Sequence, residues 1–106
     1  MRERLVAVAD WAADRGDALL ITLGLGSCVA VALYDAEVRA GGLAHILLPS
    51  QTLSRDRQAP AKFPETGVPF LIERTVELGA SPRRLRARLV GGAAMFATTG
   101  QPGVAA

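Results

Sequence analysis

A chain of 106 residues accommodates one small domain with one modest core, which excludes a multidomain machine. Half of its residues are hydrophobic and 21% are charged, so it lies far from the composition of disordered chains. The formal net charge of +2 comes from a set of cations dominated by Arg, and with only 5% aromatic residues the sequence is a poor match to a nucleic-acid binder.

The chain begins Met1-Arg2-Glu3-Arg4 and reaches Asp10, Asp14 and Asp17 without the apolar segment of a signal peptide, so the cytoplasm is the expected compartment. Residues 5–9 form a short apolar run that predicts a strand, and the polar residues 10–17, with Gly16, predict a loop. A second apolar run at 18–23 predicts a buried strand. It stops at Gly24-Leu25-Gly26, a turn that delivers Ser27 and Cys28. The apolar stretch 18–33 is interrupted by Thr22, Gly24, Gly26, Ser27 and Cys28, so no membrane span is expected. Residues 29–34 alternate in β-branching, a turn follows at 35–39, and 41–48 is again apolar, the pattern of a β-hairpin that Pro49 ends.

Residues 50–65 read as a long irregular connection. Thr66 is the expected N-cap of a helix from 67 to 78, with Pro69 in its first turn, Gly79 at its stop, and Val68, Leu71, Ile72, Thr75 and Val76 facing inward. From 84 to 90 the sequence alternates strictly. This predicts a strand with Leu85, Ala87 and Leu89 on one face and Arg84, Arg86 and Arg88 on the other.

Chemistry concentrates between Thr22 and Pro49, where the sole Cys and the sole His lie on the two arms of one predicted hairpin. With the turn centred on Ala36 and Glu37, Cys28 and His45 fall opposite each other, with Cβ atoms about 4.5 to 5.5 Å apart. An imidazole beside a thiol favours the nucleophilic thiolate and can return a proton to a leaving amine. Thr22 on the neighbouring strand is placed to orient the imidazole, and the turn carrying Gly26 and Ser27 can aim backbone N–H groups at an oxyanion. Together these parts suit acyl transfer. The same residues also suit a core: a lone Cys packs as a small inert hydrophobe, a His between Ala44 and Ile46 as a satisfied core residue, and a Thr fits any strand. Gly24 and Gly26 lack the third glycine and the helix of a dinucleotide site. The row Arg84, Arg86 and Arg88 is either a solvated strand face or a dock for an acidic partner.

The segment from Thr22 through Gly24-Leu25-Gly26-Ser27-Cys28 to Val31, with Tyr34-Asp35, Gly41-Gly42-Leu43-Ala44-His45 and Leu48-Pro49, resembles the CheD family of chemoreceptor glutamine deamidases. Lys62, Thr66, Pro69, Val90-Gly91-Gly92-Ala93 and Met95-Phe96 extend the resemblance, whereas Phe63, Glu65 and Gly67 stand where the family usually has Tyr, Asp and Ala. The resemblance implies Cys28 as nucleophile, His45 as general base and acid, and Thr22 as the group orienting His45, with no cofactor and no metal. It implies conversion of glutamines of methyl-accepting chemotaxis receptors to glutamate through a Cys thioester, with ammonia released, in the adaptation step of chemotaxis. It also implies action on receptor methyl esters and, as partners, the cytoplasmic helices of those receptors and a CheC-type phosphatase. A binding module that docks such a phosphatase or a receptor is the alternative. The implied fold is a layered α/β (α+β) structure, a mixed β-sheet sandwich flanked by helices, similar to cytotoxic necrotizing factor-type cysteine deamidases. Residues 1–106 are expected to form one such domain, short of the family's C-terminal helix and strands, with 97–106 as a disordered tail.

Overall fold

The computed structural model describes residues 1–47 and 60–91. Along them run β1 (Arg2–Leu5), β2 (Trp11–Arg15), β3 (Ala18–Ile21), β4 (Val29–Asp35), β5 (Ala40–Ile46), α1 (Pro64–Glu77) and β6 (Arg86–Gly91). Strands β4 and β5 pair as an antiparallel hairpin, β2 adds outside β5 and β6 outside β4, which gives a four-stranded sheet in the order β2-β5-β4-β6. Strands β1 and β3 make a separate parallel pair, with β2 as the excursion between them. The class is therefore α/β with mixed sheets, and among the described residues one helix covers one face.

Two-residue periodicity sorts the central hairpin into two faces. Val29, Val31 and Leu33 stand opposite Ile46, Ala44 and Gly42. Except for Gly42, these residues join Leu71 and Ala61 in the core beneath α1, with Trp11, Val68, Ile72 and Leu85 packed around them. On the other face Ala30 and Leu43 join Val6 and Ala12 in a second core under β1 and β3, closed by Leu20, Leu25 and Ala32. The helix approaches closely because Gly42 has no side chain. A Cβ there would lie 2.6 Å from Thr75 Oγ1 and 3.0 Å from Leu71 Cδ1.

Several expectations change. Residues 11–15 are a strand rather than loop. Their polar look reflects an edge position, where Asp14 receives Arg2 at 2.7 Å and Arg4 at 3.5 Å from β1. Of the run at 5–9 only Leu5 belongs to a strand; residues 6 and 7 are irregular and Val8 and Ala9 form a turn, with Ala9 at φ 64°. The helix begins at Pro64, three residues earlier than expected, because proline's fixed φ and missing N–H suit a first turn. Thr66 is not the cap: its hydroxyl donates to the Pro60 carbonyl at 2.6 Å, Phe63 holds the cap position, and Pro69 lies inside the helix. The fully buried stripe is Gly67, Leu71 and Thr75, with Val68, Ile72 and Val76 half-buried beside it.

Strand β6 also departs from the expected pattern. Leu85 packs on the helix-side core, but Ala87 and Leu89 are exposed because α1 lies over β5, β2 and β4. Arg84 precedes the strand and does not belong to a solvated row. Its Nε lies 3.1 Å from both carboxylate oxygens of the fully buried Asp35, which also accepts the N–H groups of Ser81 at 2.8 Å and Glu37 at 3.0 Å. The expected tail at 97–106 lies outside the described residues.

Candidate active site

The site lies where the second sheet meets the face of the hairpin opposite the helix. Thr22 follows β3 directly, Cys28 precedes β4 directly, and His45 is the next-to-last residue of β5. The true hairpin turn is the four residues 36–39, with Arg39 at φ 55°, so the register differs from the expected one by two. His45 pairs with Ala30. Cys28, two residues earlier, is thus a diagonal neighbour of His45 rather than its direct partner, a relation with a spacing of about 7 to 8 Å and somewhat less between Cβ atoms.

His45 is fixed from three directions. Its backbone N–H donates to the Asp10 carbonyl at 3.1 Å and its carbonyl accepts the Ala9 N–H at 2.9 Å. Its ring Nδ1 lies 2.8 Å from Thr22 Oγ1, and Thr22 Oγ1 lies 2.6 Å from the Val6 carbonyl. A carbonyl can only accept, so the single hydroxyl proton of Thr22 goes to Val6 and the Thr22 oxygen must accept from His45 Nδ1–H. That assigns the tautomer. The lone pair is left on Nε2, which is buried and has no hydrogen-bond partner among the described residues. Burial also pushes the imidazole pKa below its ordinary value, which favours the neutral ring.

The turn before Cys28 explains its glycines by conformation rather than crowding. Gly24 and Gly26 have φ of 68° and 48°, and a Cβ at either would meet nothing within 4 Å. A close backbone approach occurs at another glycine. At Gly91, φ 102°, a Cβ would lie 2.6 Å from the Cys28 carbonyl oxygen and 3.1 Å from Leu25 Cβ, so a bare α-carbon at the end of β6 lets the turn seat itself. The Cys28 N–H is occupied by the Leu25 carbonyl at 2.6 Å. The N–H groups of Gly26 and Ser27 bond to none of the described residues, and both residues are exposed. Cys28 is a free, half-buried thiol.

The structure therefore brings Thr22 and His45 into contact, while Cys28 and the turn at Gly26 and Ser27 stand just ahead of the strand paired with that of His45, with no hydrogen bond from the thiol to the ring. Sequence reasoning missed Val6, whose carbonyl orients the Thr22 hydroxyl, and the turn at Ala9 and Asp10 that holds the His45 backbone. Neither has a side-chain signature. Among the described residues no three of His, Cys, Asp and Glu converge to hold a metal ion, and no helix is long and apolar enough to cross a membrane. A buried imidazole whose acceptor nitrogen has no partner among the described residues, on the strand paired with the one that a thiol precedes, is an arrangement from which a base and a nucleophile can be built.

Comparison with known proteins yields consistent matches. A family model described as CheD chemotactic sensory transduction matches residues 47–105. The probable chemoreceptor glutamine deamidase CheD of Desulforamulus reducens is 50% identical over 91 residues, which are 86% of this chain and 55% of that protein. The proteins of the same name from Pyrococcus horikoshii and Thermococcus kodakarensis are 45% identical over 96 residues and 48% identical over 91, covering 91% and 86% of this chain and 59% and 56% of theirs. The chain thus spans little more than half the length of these relatives.

Proposed function

The chain belongs to the CheD family, and on that premise we propose that it is a protein-glutamine deamidase acting on the cytoplasmic helices of chemotaxis receptors. The observation that supports this reading is the setting of His45: a buried ring, its Nδ1–H spent on Thr22, its Nε2 without a partner among the described residues, on the strand paired with the one that Cys28 precedes. In the proposed reaction Nε2 takes the Cys28 proton as sulfur attacks the side-chain amide carbon, forming a tetrahedral adduct. The N–H groups of Gly26 and Ser27 are the candidate donors to its oxyanion. The imidazolium then returns the proton to the departing nitrogen, ammonia leaves, and a thioester remains on Cys28. Water, deprotonated by the same Nε2, hydrolyses the thioester to glutamate and restores the thiol. Thr22 orients the ring throughout. The same nucleophile is suited to receptor methyl esters, with methanol as leaving group. The layered sheets are compatible with the implied likeness to cytotoxic necrotizing factor-type deamidases, and a CheC-type phosphatase is the proposed regulatory partner.

Incubating the chain with a receptor helix fragment and measuring ammonia and the amide-to-acid mass gain tests the assignment. Conversion is expected with the native chain and is expected to vanish with Cys28→Ala and after alkylation of the thiol. Equal conversion by Cys28→Ala, or binding of the fragment with no conversion by the native chain, overturns it, and the second result leaves the binding module.

A further inference from the structure

Among the described residues β1 and β3, with Leu25, pack over β2, β5 and the Ala30 end of β4, whereas Tyr34 at the far end of β4 and residues 86–90 of β6 are exposed on the face that carries His45. Along that open strip the ladder sets Arg88 opposite Ala32 and Arg86 opposite Tyr34, and Val90 lies opposite Ala30, the partner of His45. All of these side-chain positions share the His45 face, since directly paired residues point the same way. Ala32, Tyr34, Arg86 and Arg88 line a cleft of about 400 Å³. A second one of about 240 Å³ begins from the same Ala32 and Tyr34 and reaches Arg39.

The charges of this groove are unbalanced. Among the described residues the nearby carboxylates are already engaged, Asp14 by Arg2 and Arg4, and Asp35 and Glu37 by Arg84. Arg39, Arg86 and Arg88 are exposed and make no ion pair among the described residues. Tyr34, 48% exposed, stands between them.

We propose that Arg86 and Arg88 form a docking row that selects an acidic α-helical segment of the substrate, with its carboxylates on the same helix face as the target glutamine. This rests on the deamidase reading and names its specificity. The spacing supports a helix as the occupant. Arg86 and Arg88 are two residues apart on one strand, about 6.7 Å, close to the roughly 6 Å between positions i and i+4 of a helix. Counted along β4 from Cys28, Arg88 lies about 13 Å away and Arg86 about 20 Å. Helix positions about 7 and 11 residues from the glutamine share its face and lie within reach of long guanidinium side chains at those distances. Bidentate pairing with carboxylates suits arginine.

The probe is a synthetic helical peptide with one central glutamine and glutamates about 7 and 11 residues away on either side, compared with a peptide in which those glutamates are alanine. Binding is measured with Cys28→Ala, which does not turn the peptide over, and kinetics with the native thiol. With R86E/R88E the acidic peptide is expected to bind at least about tenfold more weakly, with a flatter salt dependence, and KM is expected to rise while kcat falls far less. The alanine peptide is expected to be indifferent to the arginine changes, so the two losses are not additive. An unchanged thermal midpoint of the double variant shows that its fold is intact. Equal weakening for both peptides, insensitivity to charge reversal, or tighter binding of a single-stranded oligonucleotide than of the acidic peptide overturns the proposal. Conversion that depends on Cys28 but ignores the arginines removes the docking row and leaves the deamidase reading. Charge-dependent binding without conversion removes the deamidase reading and leaves the row.

Discussion

His45 is a wholly buried histidine whose ring has one satisfied nitrogen and one without a partner among the described residues, and this has consequences for stability as well as chemistry. Its folded pKa lies below the ordinary 6.5 because burial disfavours the charged ring. The unfolded chain therefore takes up a proton at a higher pH than the folded chain does. Above the unfolded value neither state is protonated and the stability is full, and as pH falls from 6.5 towards the folded value the unfolded state gains. Denaturant titrations across that window are expected to show a decline that His45→Gln flattens; a decline of equal slope in the variant assigns it to other groups. Thr22→Val tests the tautomer. It leaves Nδ1–H without an acceptor, at a cost of about 1 to 3 kcal/mol for an unsatisfied buried donor. In ¹⁵N spectra the native ring is expected to carry its proton on Nδ1 alone, the Val variant to mix tautomers, and Thr22→Ser to restore the native pattern.

At the scale of elements, legibility followed how local each signal was. The β4–β5 hairpin is readable because apolar alternation and glycine punctuation lie within one stretch, and His45 stands out within it, with Cys28 just before it and Thr22 at the end of β3. Its register is less so, since the turn contains Arg39 in a left-handed conformation that ordinarily advertises itself with glycine or asparagine. Ala9 hides the β1–β2 turn in the same way. Strand β2 reads as loop because an edge strand carries the aspartate that β1 needs. The lock between β4 and the approach to β6 is invisible locally, because Asp35 and Arg84 are 49 residues apart. That lock is testable by pH. The guanidinium of Arg84 and the N–H groups of Ser81 and Glu37 hold the Asp35 carboxyl down from 3.8 to about 2. Its contribution to stability is complete above the unfolded value of 3.8 and is lost as pH falls through about 2. Asp35→Asn is expected to lower the thermal midpoint at pH 7 and to remove part of the acid-induced loss, whereas Asp14→Asn at the exposed β1 clamp is expected to lower it less. Equal effects of the two substitutions count against the buried lock.

Across the whole molecule, the site spans two layers of unequal strength. The layer beneath α1 contains Val29, Val31, Leu33, Ile46 and Leu71 and is closed by Trp11, whose ring meets Phe70 edge-on at 4.8 Å. The layer beneath β1 and β3 rests on the smaller set Val6, Ala12, Ala30 and Leu43, and all four β1 residues are exposed. A two-stranded pair is marginal by itself, so β1 and β3 are expected to open without the central hairpin. Opening would carry Val6 and Thr22 away from His45 and release the tautomer lock, which makes the integrity of the weaker layer the condition for the role proposed for the ring. Hydrogen exchange on Leu71→Ala separates the layers. A buried Leu→Ala change costs about 2 to 5 kcal/mol of global stability, and amides of the β4–β5 ladder are expected to lose protection by that amount. Amides of the β1–β3 ladder, which exchange through their own opening, are expected to keep theirs, and the His45 ring is expected to keep its Nδ1 proton. A parallel loss of protection in both ladders would mean that the layers unfold as one unit, and that the site is only as labile as the fold beneath the helix.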